Sequence, residues 1–573
     1  MKNKEVAQLL YEIAELLSLS EENPFRIRAY ERAAQVIEAL PQLIEEITKK
    51  DELRKIPGIG EGIAEKIKEY LSTGRLKYIE DLKKKIPESV LEIMSISGMG
   101  PKKAKIVYDK LQITSIPELE KAVKEHQLAS LPGFGEKTEE NILKGIELKR
   151  QSSGRVLLFT ALITAKTVVE SLSKLPQVKQ VAYAGSLRRG KETIRDIDIL
   201  CTATKSKPVM DTFINLPWVR EKLAQGETKS SVILEGGTQC DLRVVEPQCF
   251  GAALLYFTGS KEHNIALRTL ANKKGYTINE YGLFKLKEED KPLAGLTEND
   301  VYEKLGLQFI PPELRENRGE IEIAAKGKIP LLVEEKDIRG DLHVHSKYSD
   351  GNATIEQIAE QAKRKGWEWI TICDHSQSLK VAGGVPVKEV YRKVEEIKRH
   401  NTKNKNFRIL ASMEVDIHND GSLDYEDELL KELDFVIAAI HTGFKQSEEK
   451  ITERISLAME NKYVNMIAHP TGRLLGKREP YAVNMEKILE KAKKTHTAIE
   501  INAFPERLDL YDIYCKQAKE MGIMLGIGTD AHTLEQFDYL GLGVTVARRG
   551  WLEKKNLLNT LKVDELLELI RKR

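Results

Sequence analysis

Between residues 341 and 532 the sequence repeatedly ends an apolar run of strand length with a residue that can bind a metal ion. The first run opens the stretch DLHVHSKYSDG, which carries His343, His345 and Asp350. Later runs end at or beside His375, Glu414, His441, His469, Asp530 and His532, and one more run, TAIEIN, ends near residue 502. Continuous apolar runs are typical of buried parallel strands, and their spacing of roughly thirty residues is that of one strand and one helix. We therefore expect seven strands that alternate with helices from 341 to 573.

A parallel barrel of such units has its functional site at the carboxyl ends of the strands, where all these side chains fall. His343 and His345 alternate along one strand and face the same side, so both can reach one ion. A single histidine here would more often be a structural residue, but the recurrence along the chain makes coincidence a poor explanation. The mixture of imidazole and carboxylate ligands suits Zn²⁺, Mn²⁺ or Fe²⁺. The pattern therefore predicts a metal centre.

A separate acidic pattern lies at 181–200, VAYAGSLRRGKETIRDIDIL. Asp196 and Asp198 are two residues apart in a strand-like run, so their carboxylates project from the same face, and Asp241 in CDLRVV supplies a third acid. Paired acids are common on a solvated strand face, but three converging carboxylates are also the protein part of a two-metal phosphoryl-transfer site. The turn upstream favours the second interpretation, because Gly185-Ser186 and the two arginines that follow offer hydroxyl, N–H and guanidinium groups to a triphosphate.

Residues 1–150 read as a series of helices interrupted at Pro-Gly or Gly-x-Gly. A motif of the form apolar-x-Gly-apolar-Gly, followed by a helix, occurs at 54–67, 94–107 and 129–142. Its glycines allow a tight turn and the close approach of a phosphate to the first N–H groups of the helix. One copy would indicate only a connection between helices, whereas three copies favour a grip on a nucleic-acid backbone. The glycines concerned are Gly58, Gly60, Gly98, Gly100, Gly133 and Gly135.

Composition limits the partners and the compartment. Lys and Arg number 90 against 88 Asp and Glu, so DNA affinity has to come from local sites and not from a global field. The five cysteines share no CxxC spacing, which suits free thiols in a reducing compartment. No stretch approaches the apolar length needed to cross a bilayer. We expect a cytoplasmic, nucleoid-associated monomer with no membrane partner.

The motifs GSLRRG, DID, CDLRV and YFTGSKEHNIALRTLANKKGYTINEYGL (256–283) resemble the nucleotidyltransferase core of family X DNA polymerases, and the resemblance covers about 1–315. It implies that Asp196, Asp198 and Asp241 hold Mg²⁺ or Mn²⁺, with Asp241 also beside the primer 3′-hydroxyl. The nucleotide-binding residues that it implies are Gly185, Ser186, Arg189, Tyr256, Phe257, Gly259, Asn264 and Arg268. One aromatic of the Tyr-Phe pair could instead be a core residue.

The stretch NPFRIRAYERAA (23–34) and the first hairpin resemble the 8-kDa domain that grips the 5′-phosphate side of a gap, with Arg26, Tyr30 and Lys66 at matching positions. Lys66 matches the lysine that forms a Schiff base with deoxyribose phosphate. Gly62 stands where a neighbouring lysine is expected, and the loss of that charge weakens the case for lyase chemistry. The alternative is an exposed lysine without chemistry.

Residues 338–573 resemble a PHP domain, a distorted seven-stranded barrel with a trinuclear metal site. The resemblance implies three ion sites: His343, His345, Glu414 and Asp530; Glu414, His441 and His469; and Asp350, His375 and His532. We hypothesise that the third ion or Arg473, in the motif HPTGR, stabilises the leaving oxygen. The alternative for HPTGR is a capped loop.

The expected fold is therefore multidomain: an all-α helix-hairpin-helix amino-terminal region, an α+β polymerase-beta-like nucleotidyltransferase core, and a carboxyl-terminal distorted (β/α)7 PHP barrel. The expected boundaries are an 8-kDa-like helical domain at 1–85, a helical DNA-binding subdomain at 86–150, a palm at 151–245, a nascent-base-pair-binding subdomain at 246–315, a linker at 316–337 and the PHP domain at 338–573.

This order resembles the bacterial family X DNA polymerases that bear a PHP domain. The resemblance implies short-gap filling in base excision repair and 3′–5′ exonuclease activity, with cleavage at abasic sites as a further activity. The implied partners are gapped or primer–template DNA and dNTPs, with three divalent ions in the barrel. Two alternatives for the barrel are open: hydrolysis of small phosphate esters, or a structural scaffold whose metals contribute folding energy only.

Overall fold

The computed structural model describes residues 2–19, 23–38, 44–56, 58–83, 89–94, 96, 99–152, 154–287 and 291–571. The chain divides into two compact units, one of Met1–Ser153 with Gly476–Arg478 and one of Gly154–Leu475 with Glu479–Arg573. Within the described ranges, no helix is both long enough and apolar enough to span a membrane.

The described part of the first unit is helical, as expected. Apolar residues three and four apart bury one face of each longer helix; Ile63, Ala64 and Ile67 of the fourth helix are examples. The buried residues form two clusters, one in the first half of this unit and one mainly in the second. The helices are α1 (Lys2–Leu19), α2 (Pro24–Glu38), α3 (Ile44–Lys49), α4 (Glu61–Thr73), α5 (Lys77–Lys83), α6 (Ser89–Met94), α7 (Pro101–Leu111), α8 (Ile116–Lys124) and α9 (Glu136–Ser152).

The second unit begins with a mixed α/β segment, here called the palm. Its elements are β1 (Val156–Leu157), α10 (Leu158–Ser173), β2 (Val178–Tyr183), α11 (Gly185–Arg188), β3 (Thr193–Ile194), β4 (Asp196–Ala203), α12 (Ser206–Ile214), β5 (Val219–Gln225), β6 (Lys229–Leu234) and β7 (Gln239–Val245). The main sheet has the order β2-β4-β7-β6-β5, in which only β4 and β7 are parallel. The parallel pair brings two distant strand segments into register.

A helical segment follows, with α13 (Phe250–Thr258), α14 (Lys261–Lys273), β8 (Tyr276–Asn279), β9 (Gly282–Lys285), α15 (Glu298–Lys304) and α16 (Glu320–Ala325). The stretch 316–337 was expected to be a linker, but α16 lies inside it. Ile321 and Ala324 of α16 belong to the same buried cluster as α15, and buried Glu320 lies 2.7 Å from Nδ1 of His263. The charged residues of this stretch obscured its amphipathic pattern in the sequence. The linker prediction is therefore wrong for the part that forms α16, because that part packs into the fold.

The rest of the second unit is a parallel barrel in which the strand order follows the chain, β10 to β16. Its elements are β10 (Gly340–Val344), α17 (Ile355–Arg364), β11 (Trp369–His375), α18 (Val387–Lys403), β12 (Arg408–Asp416), α19 (Asp427–Leu430), β13 (Phe435–Ala439), α20 (Glu448–Glu460), β14 (Met466–Ile467), α21 (Met485–Thr495), β15 (Ala498–Asn502), α22 (Asp512–Met521), β16 (Leu525–Gly528), α23 (Leu540–Arg549) and α24 (Val563–Arg571). A parallel bridge from Val344 to Ala531 nearly closes the ring. The predicted seven-stranded barrel is confirmed.

Palm and barrel share one hydrophobic cluster. Phe159 of α10 packs edge-on against Tyr539, with ring centroids 4.9 Å apart. This edge-to-face geometry is favourable for aromatic pairs. The two active centres described next are therefore carried by one packed unit.

Candidate active sites

The palm brings three acids to one face of its sheet. Asp198 of β4 lies directly opposite Asp241 of β7 in the parallel ladder, and Asp196 is two residues before Asp198 on the same strand. Side chains two apart on a strand, and side chains opposite each other on neighbouring strands, share a face. The structure therefore brings together the acids that the sequence pattern singled out.

The acidic face is electrostatically suited to a cation. Burial, and then the neighbouring charges of Asp196 and Asp241, raise the pKa of Asp198 to about 6. Lys229 Nζ lies 3.5 Å from Asp241, but its side chain is nearly half exposed. Like charges that crowd together in a partly buried position are relieved by divalent ions, so these residues fit the implied Mg²⁺ or Mn²⁺.

The turn after β2 lies directly against this acidic face. Gly185 has φ of +63°, and a Cβ at this position would lie 2.4 Å from Oδ2 of Asp198. Only glycine combines that backbone conformation with so close an approach. Ser186, the next residue of the turn, is half-buried.

The two arginines of the turn have different environments. Arg188 donates to both carboxylate oxygens of Glu298, at 2.8 and 2.6 Å, and to Thr258 Oγ1 at 2.7 Å. Arg189 donates from Nε to Glu316 at 3.1 Å and from Nη1 to the Thr258 carbonyl at 2.5 Å. Its Nη2 makes no hydrogen bond to any described residue. Arg188 thus anchors α15, and Arg189 keeps one donor that no described residue uses.

Further nucleotide-binding candidates line a small pocket between α13 and α14. Tyr256, Asn264 and Arg268 are among its walls, and the Asn264 amide donates to the Tyr256 carbonyl at 2.7 Å. Phe257 packs edge-on against Tyr256, and the guanidinium of Arg243 lies 4.5 Å from the centre of its ring. A Cβ at Gly259 would be 3.2 Å from Nη1 of Arg189, so this glycine adjoins the turn that carries Arg189.

Glu414 is the centre of the histidine cluster in the barrel. It lies near the carboxyl end of β12 and is 1% exposed. Its carboxylate oxygens lie close to ring nitrogens of His375 (2.7 Å), His469 (2.9 Å), His441 (3.4 Å), His343 (3.5 Å) and His345 (3.9 Å). One carboxylate that faces so many imidazoles is suited to bridge ions.

Within the described residues, the ligand atoms of three groups of side chains are close enough to share an ion: His343, His345 and Asp530; His375, Glu414 and His441; and His345, Asp350, His375 and His532. The remaining predicted ligand, His469, contacts Glu414. Nε2 of His343, Nδ1 of His345 and Oε2 of Glu414 are buried without a hydrogen bond to a described residue. Such orphaned donors and acceptors fit bound divalent ions.

Four family descriptions match the chain along its length. "Helix-hairpin-helix domain" matches residues 1–76, and "SAM-like Helix-hairpin-helix tandem" matches 90–148. "DNA polymerase beta thumb" matches 253–316, and "PHP domain" matches 341–504. The helical unit, the segment beside the acidic site and the barrel are thus each recognised.

A protein of Bacillus subtilis (strain 168) with the name "DNA polymerase/3'-5' exonuclease PolX" is 38% identical over 574 residues, covering 100% of both chains. This chain belongs to the PolX family. The resemblance to bacterial family X polymerases with a PHP domain is confirmed. Membership carries a dependence on divalent metal ions, in line with the acid and histidine clusters of the structure.

Other relatives match one half of the PolX architecture. A "probable phosphatase" of Thermoanaerobacter sp. (strain X514) is 30% identical over 41% of this chain and 94% of its own length. "DNA polymerase lambda" of Rattus norvegicus is 29% identical over 49% of this chain and 52% of its own length.

The structure adds PolX residues that sequence reasoning missed. Glu500 accepts a hydrogen bond from Nδ1 of His343 at 2.7 Å and from the backbone N–H of His469 at 2.6 Å. Asp416 contacts Nδ1 of His441, and Asn502 donates to Asp530 at 3.1 Å. Such partners orient ligands and set the imidazole tautomer. The sequence signal for Glu500 and Asn502 is their alternation at the end of TAIEIN, which places both side chains on the same face of the strand.

Arg473 is not where a catalytic role requires it. Its guanidinium makes a two-point ion pair with Glu192 of the palm, donates to the carbonyls of Arg507 and Leu508, and lies 3.7 Å from the ring centre of Tyr511. None of these described contacts involves a predicted metal ligand. The expectation of a leaving-oxygen contact is therefore not supported, because the donors are already used to join barrel and palm. The arginine beside the ligands is Arg507, with Nε 3.3 Å from Asp530.

The hairpin glycines of the helical unit have the expected geometry where they are described. Gly58 and Gly133 have φ of +87° and +81°, and Gly60 and Gly100 are the extended residues that precede α4 and α7. A Cβ at Gly60, Gly100, Gly133 or Gly135 would meet nothing within 4 Å, which leaves room for a DNA backbone. Gly98 lies outside the described residues.

The 5′-phosphate candidates of the helical unit separate into two groups. Lys66 Nζ donates to the Gly62 carbonyl at 3.0 Å and lies 4.6 Å from the centre of the Tyr78 ring, and Arg26 donates to the Tyr78 hydroxyl at 2.9 Å. Burial, and then the charge of Arg26, lower the pKa of Lys66. Tyr30 is instead a core residue, 4% exposed, so its predicted contact with DNA is not supported.

Proposed function

We propose that this PolX member extends primers across short DNA gaps at the acidic centre and removes nucleotides from primer 3′ ends at the histidine centre. The observation that carries this proposal is the presence of two separate clusters of metal-competent side chains in one packed unit. The name of the Bacillus subtilis relative, which combines the same two activities, supports it.

At the acidic centre, two Mg²⁺ or Mn²⁺ ions held by Asp196, Asp198 and Asp241 would neutralise the triphosphate and favour attack by the primer 3′-hydroxyl. The chain itself positions the nucleotide. Ser186 and the remaining donor of Arg189 hold phosphate oxygens. Tyr256, Phe257, Gly259, Asn264 and Arg268, which lie on α13, α14 and the turn between them, would contact the sugar and the base pair.

At the histidine centre, three ions chosen from Zn²⁺, Mn²⁺ or Fe²⁺ would supply Lewis acidity toward a phosphodiester. Glu414 would help to hold more than one ion, because its carboxylate oxygens lie near ring nitrogens of five histidines. Glu500 and Asp416 hold His343 and His441 in the orientation and tautomer that ligation needs. We include 3′-blocked ends and abasic sites among the substrates.

The helical unit would supply the grip on DNA. The open hairpin glycines accept backbone phosphates without reading sequence. Arg26 and Lys66 would bind the 5′-phosphate side of the gap, and the lowered pKa of Lys66 favours amine chemistry, although the missing neighbour at Gly62 opposes it. We assign the protein to the cytoplasm, as a monomer at the nucleoid.

A second candidate for the barrel is hydrolysis of small phosphate esters. It is favoured by the match of the barrel region to relatives named "probable phosphatase". Hydrolysis of p-nitrophenyl phosphate, measured with increasing gapped DNA, separates the two candidates. A nuclease is inhibited at low DNA concentration, whereas a small-molecule phosphatase keeps its rate.

The test of the polymerase assignment is primer extension on a duplex with a single-nucleotide gap, with Mg²⁺ and dNTPs. We expect the wild-type chain to insert the templated nucleotide. Asp198→Asn, which keeps the shape of the side chain but removes its charge, should reduce insertion by about 10²-fold or more, and His343→Ala should leave it intact. No insertion by metal-loaded wild-type protein, or full insertion by Asp198→Asn, would contradict the assignment.

A further inference from the structure

The phosphate-binding turn of the palm lies against the barrel helix α23. Gly190, which ends this turn, has φ of +66°, and a Cβ there would lie 2.2 Å from Cγ2 of Thr545. The backbone of the turn at Gly190 therefore packs directly against α23, and a side chain at this position would not fit. The residue that ends α23 is Arg549, 3% exposed and directed at the same turn.

Arg549 binds both the backbone and the side-chain partner of Arg189. Its Nη1 donates to the Arg189 carbonyl at 2.7 Å and to Glu316 Oε1 at 3.0 Å, and its Nη2 donates to Asp512 at 2.6 Å. The same oxygen of Glu316 accepts a hydrogen bond from Nε of Arg189 at 3.1 Å. Arg549 thus holds the main chain of Arg189 through its carbonyl. It also holds the Glu316 carboxylate, which orients the Arg189 side chain.

We propose that Arg549 of the barrel is a positioning residue for the polymerase reaction, because it holds Arg189 in the orientation that binds the incoming triphosphate. The inference rests on the proposed function. Without Arg549, the largely buried carboxylate of Glu316 loses one of its two arginine partners and keeps Arg189, and the turn loses its anchor. Buried charged groups that lose one partner rearrange at considerable cost, and small displacements of a phosphate ligand weaken binding. The barrel then serves the polymerase centre as well as its own.

The chain offers a matched control one residue earlier. Arg548 donates to Glu313 at 2.7 Å and to the Val333 carbonyl at 3.0 Å, so it also joins α23 to the segment that follows the palm. Its described contacts do not include the phosphate-binding turn. Arg548→Ala therefore removes a comparable ion pair from the same helix and leaves the support of Arg189 in place.

The experiment compares full-length Arg549→Ala, Arg549→Lys, Arg548→Ala and Arg189→Ala in single-nucleotide gap filling, with steady-state KM for dNTP, kcat and melting temperature. We expect Arg549→Ala to raise KM for dNTP about tenfold, which corresponds to the loss of one charged contact, and Arg548→Ala to change it less than about twofold. Arg549→Lys keeps the charge but cannot reach all three acceptors, so its KM should lie between the two. Shortening of a 3′ end without nucleotides should stay at the wild-type rate in both Arg549 variants.

An unchanged KM in folded Arg549→Ala, or an equal rise in Arg548→Ala, would overturn the inference and leave Arg549 as a general docking residue. If Arg549→Ala does not fold, Arg549→Lys decides: a raised KM supports the inference, and a wild-type KM overturns it. Arg189→Ala separates this inference from the proposed function. A raised KM in Arg189→Ala with wild-type values in Arg549→Ala overturns only the inference, whereas a wild-type chain that inserts no nucleotide overturns the function itself.

Discussion

Arg473, in the loop after β14 of the barrel, forms a two-point ion pair with Glu192 of the palm, with nitrogen–oxygen distances of 3.1 and 2.6 Å. Arg473 is 2% exposed, and its remaining donors bind the carbonyls of Arg507 and Leu508. Arg507 in turn lies 3.3 Å from the predicted ligand Asp530. A palm residue is thereby connected, through one arginine, to the loop beside the histidine centre.

The pair should show strong coupling in a double-mutant cycle. We expect Glu192→Ala and Arg473→Ala to be non-additive by about 2 kcal/mol in the free energy of unfolding, because either change leaves a buried or half-buried charge without its partner. The measurement is chemical unfolding of the full chain for the wild type, both single variants and the double variant.

The exposed pair Lys398–Glu395 is the matched control, since both side chains are more than half exposed at 57% and 65%. The same cycle there should give a coupling of less than about 0.5 kcal/mol. Additive effects at Glu192 and Arg473 would mean that the ion pair does not stabilise the contact between palm and barrel.

Glu500 should determine how tightly the histidine centre holds its ions. Glu500→Gln keeps the shape of the side chain but weakens the acceptor for Nδ1 of His343, so the ring is no longer held in the tautomer that ligates through Nε2. We expect metal affinity to fall by about 10–100-fold. Metal content after equilibration with a chelator at graded concentrations measures this change without any substrate.

Glu395→Gln, an exposed change in the same barrel, should retain metal as the wild type does. Equal retention by Glu500→Gln would show that the contact between Glu500 and His343 does not tune the site.

Glu298 should make the contact between palm and α15 sensitive to acid. Burial alone would raise its pKa, but the hydrogen bond from Arg188 and the charges of Arg315 and Arg188 outweigh burial and lower it from 4.5 to about 2. The contribution of ionised Glu298 to the free energy of unfolding is therefore fully present above its pKa in the unfolded chain, 4.5. It is lost as the pH falls from about 4.5 towards the folded-state pKa of about 2. The shift corresponds to a contribution on the order of 3 kcal/mol.

The difference in melting temperature between wild type and Glu298→Gln should be large near neutral pH and should shrink at about pH 3. Glu303→Gln, at an exposed position of the same helix, should differ little from wild type at either pH. A Glu298→Gln difference that does not depend on pH would contradict this account.

The barrel and the clustering of its candidate metal ligands were predictable from sequence because each strand of a parallel barrel is buried on both faces and therefore reads as one apolar run. The ligands end those runs, so spacing alone brought His343, Glu414 and Asp530 to one face. The roles of the arginines were not predictable. Arg473 and Arg189 act through partners that lie far along the chain, at Glu192 and Glu316, and no local pattern reports such contacts.

The sequence analysis predicted a linker at 316–337 and missed the packed helix α16 inside it for a similar reason. The stretch carries several charged residues, but Glu316 and Glu320 each have a cationic or imidazole partner elsewhere in the fold. Tyr30 shows the opposite error, because a matching motif position was taken as a surface contact when the helix turns that side chain into the core. Burial of single side chains depends on tertiary packing, which a motif does not specify.

We propose that this one chain carries two separable metal centres that act on phosphodiesters in opposite directions. The most direct measurement uses Asp241→Ala with Mn²⁺ and a gapped duplex that carries a 5′-labelled primer, without nucleotides. We predict that the primer shortens from its 3′ end, and that shortening stops when His343→Ala is added to the same chain. A primer of unchanged length, in Asp241→Ala protein shown to hold its metals, would contradict the assignment of the histidine centre as a 3′ nuclease.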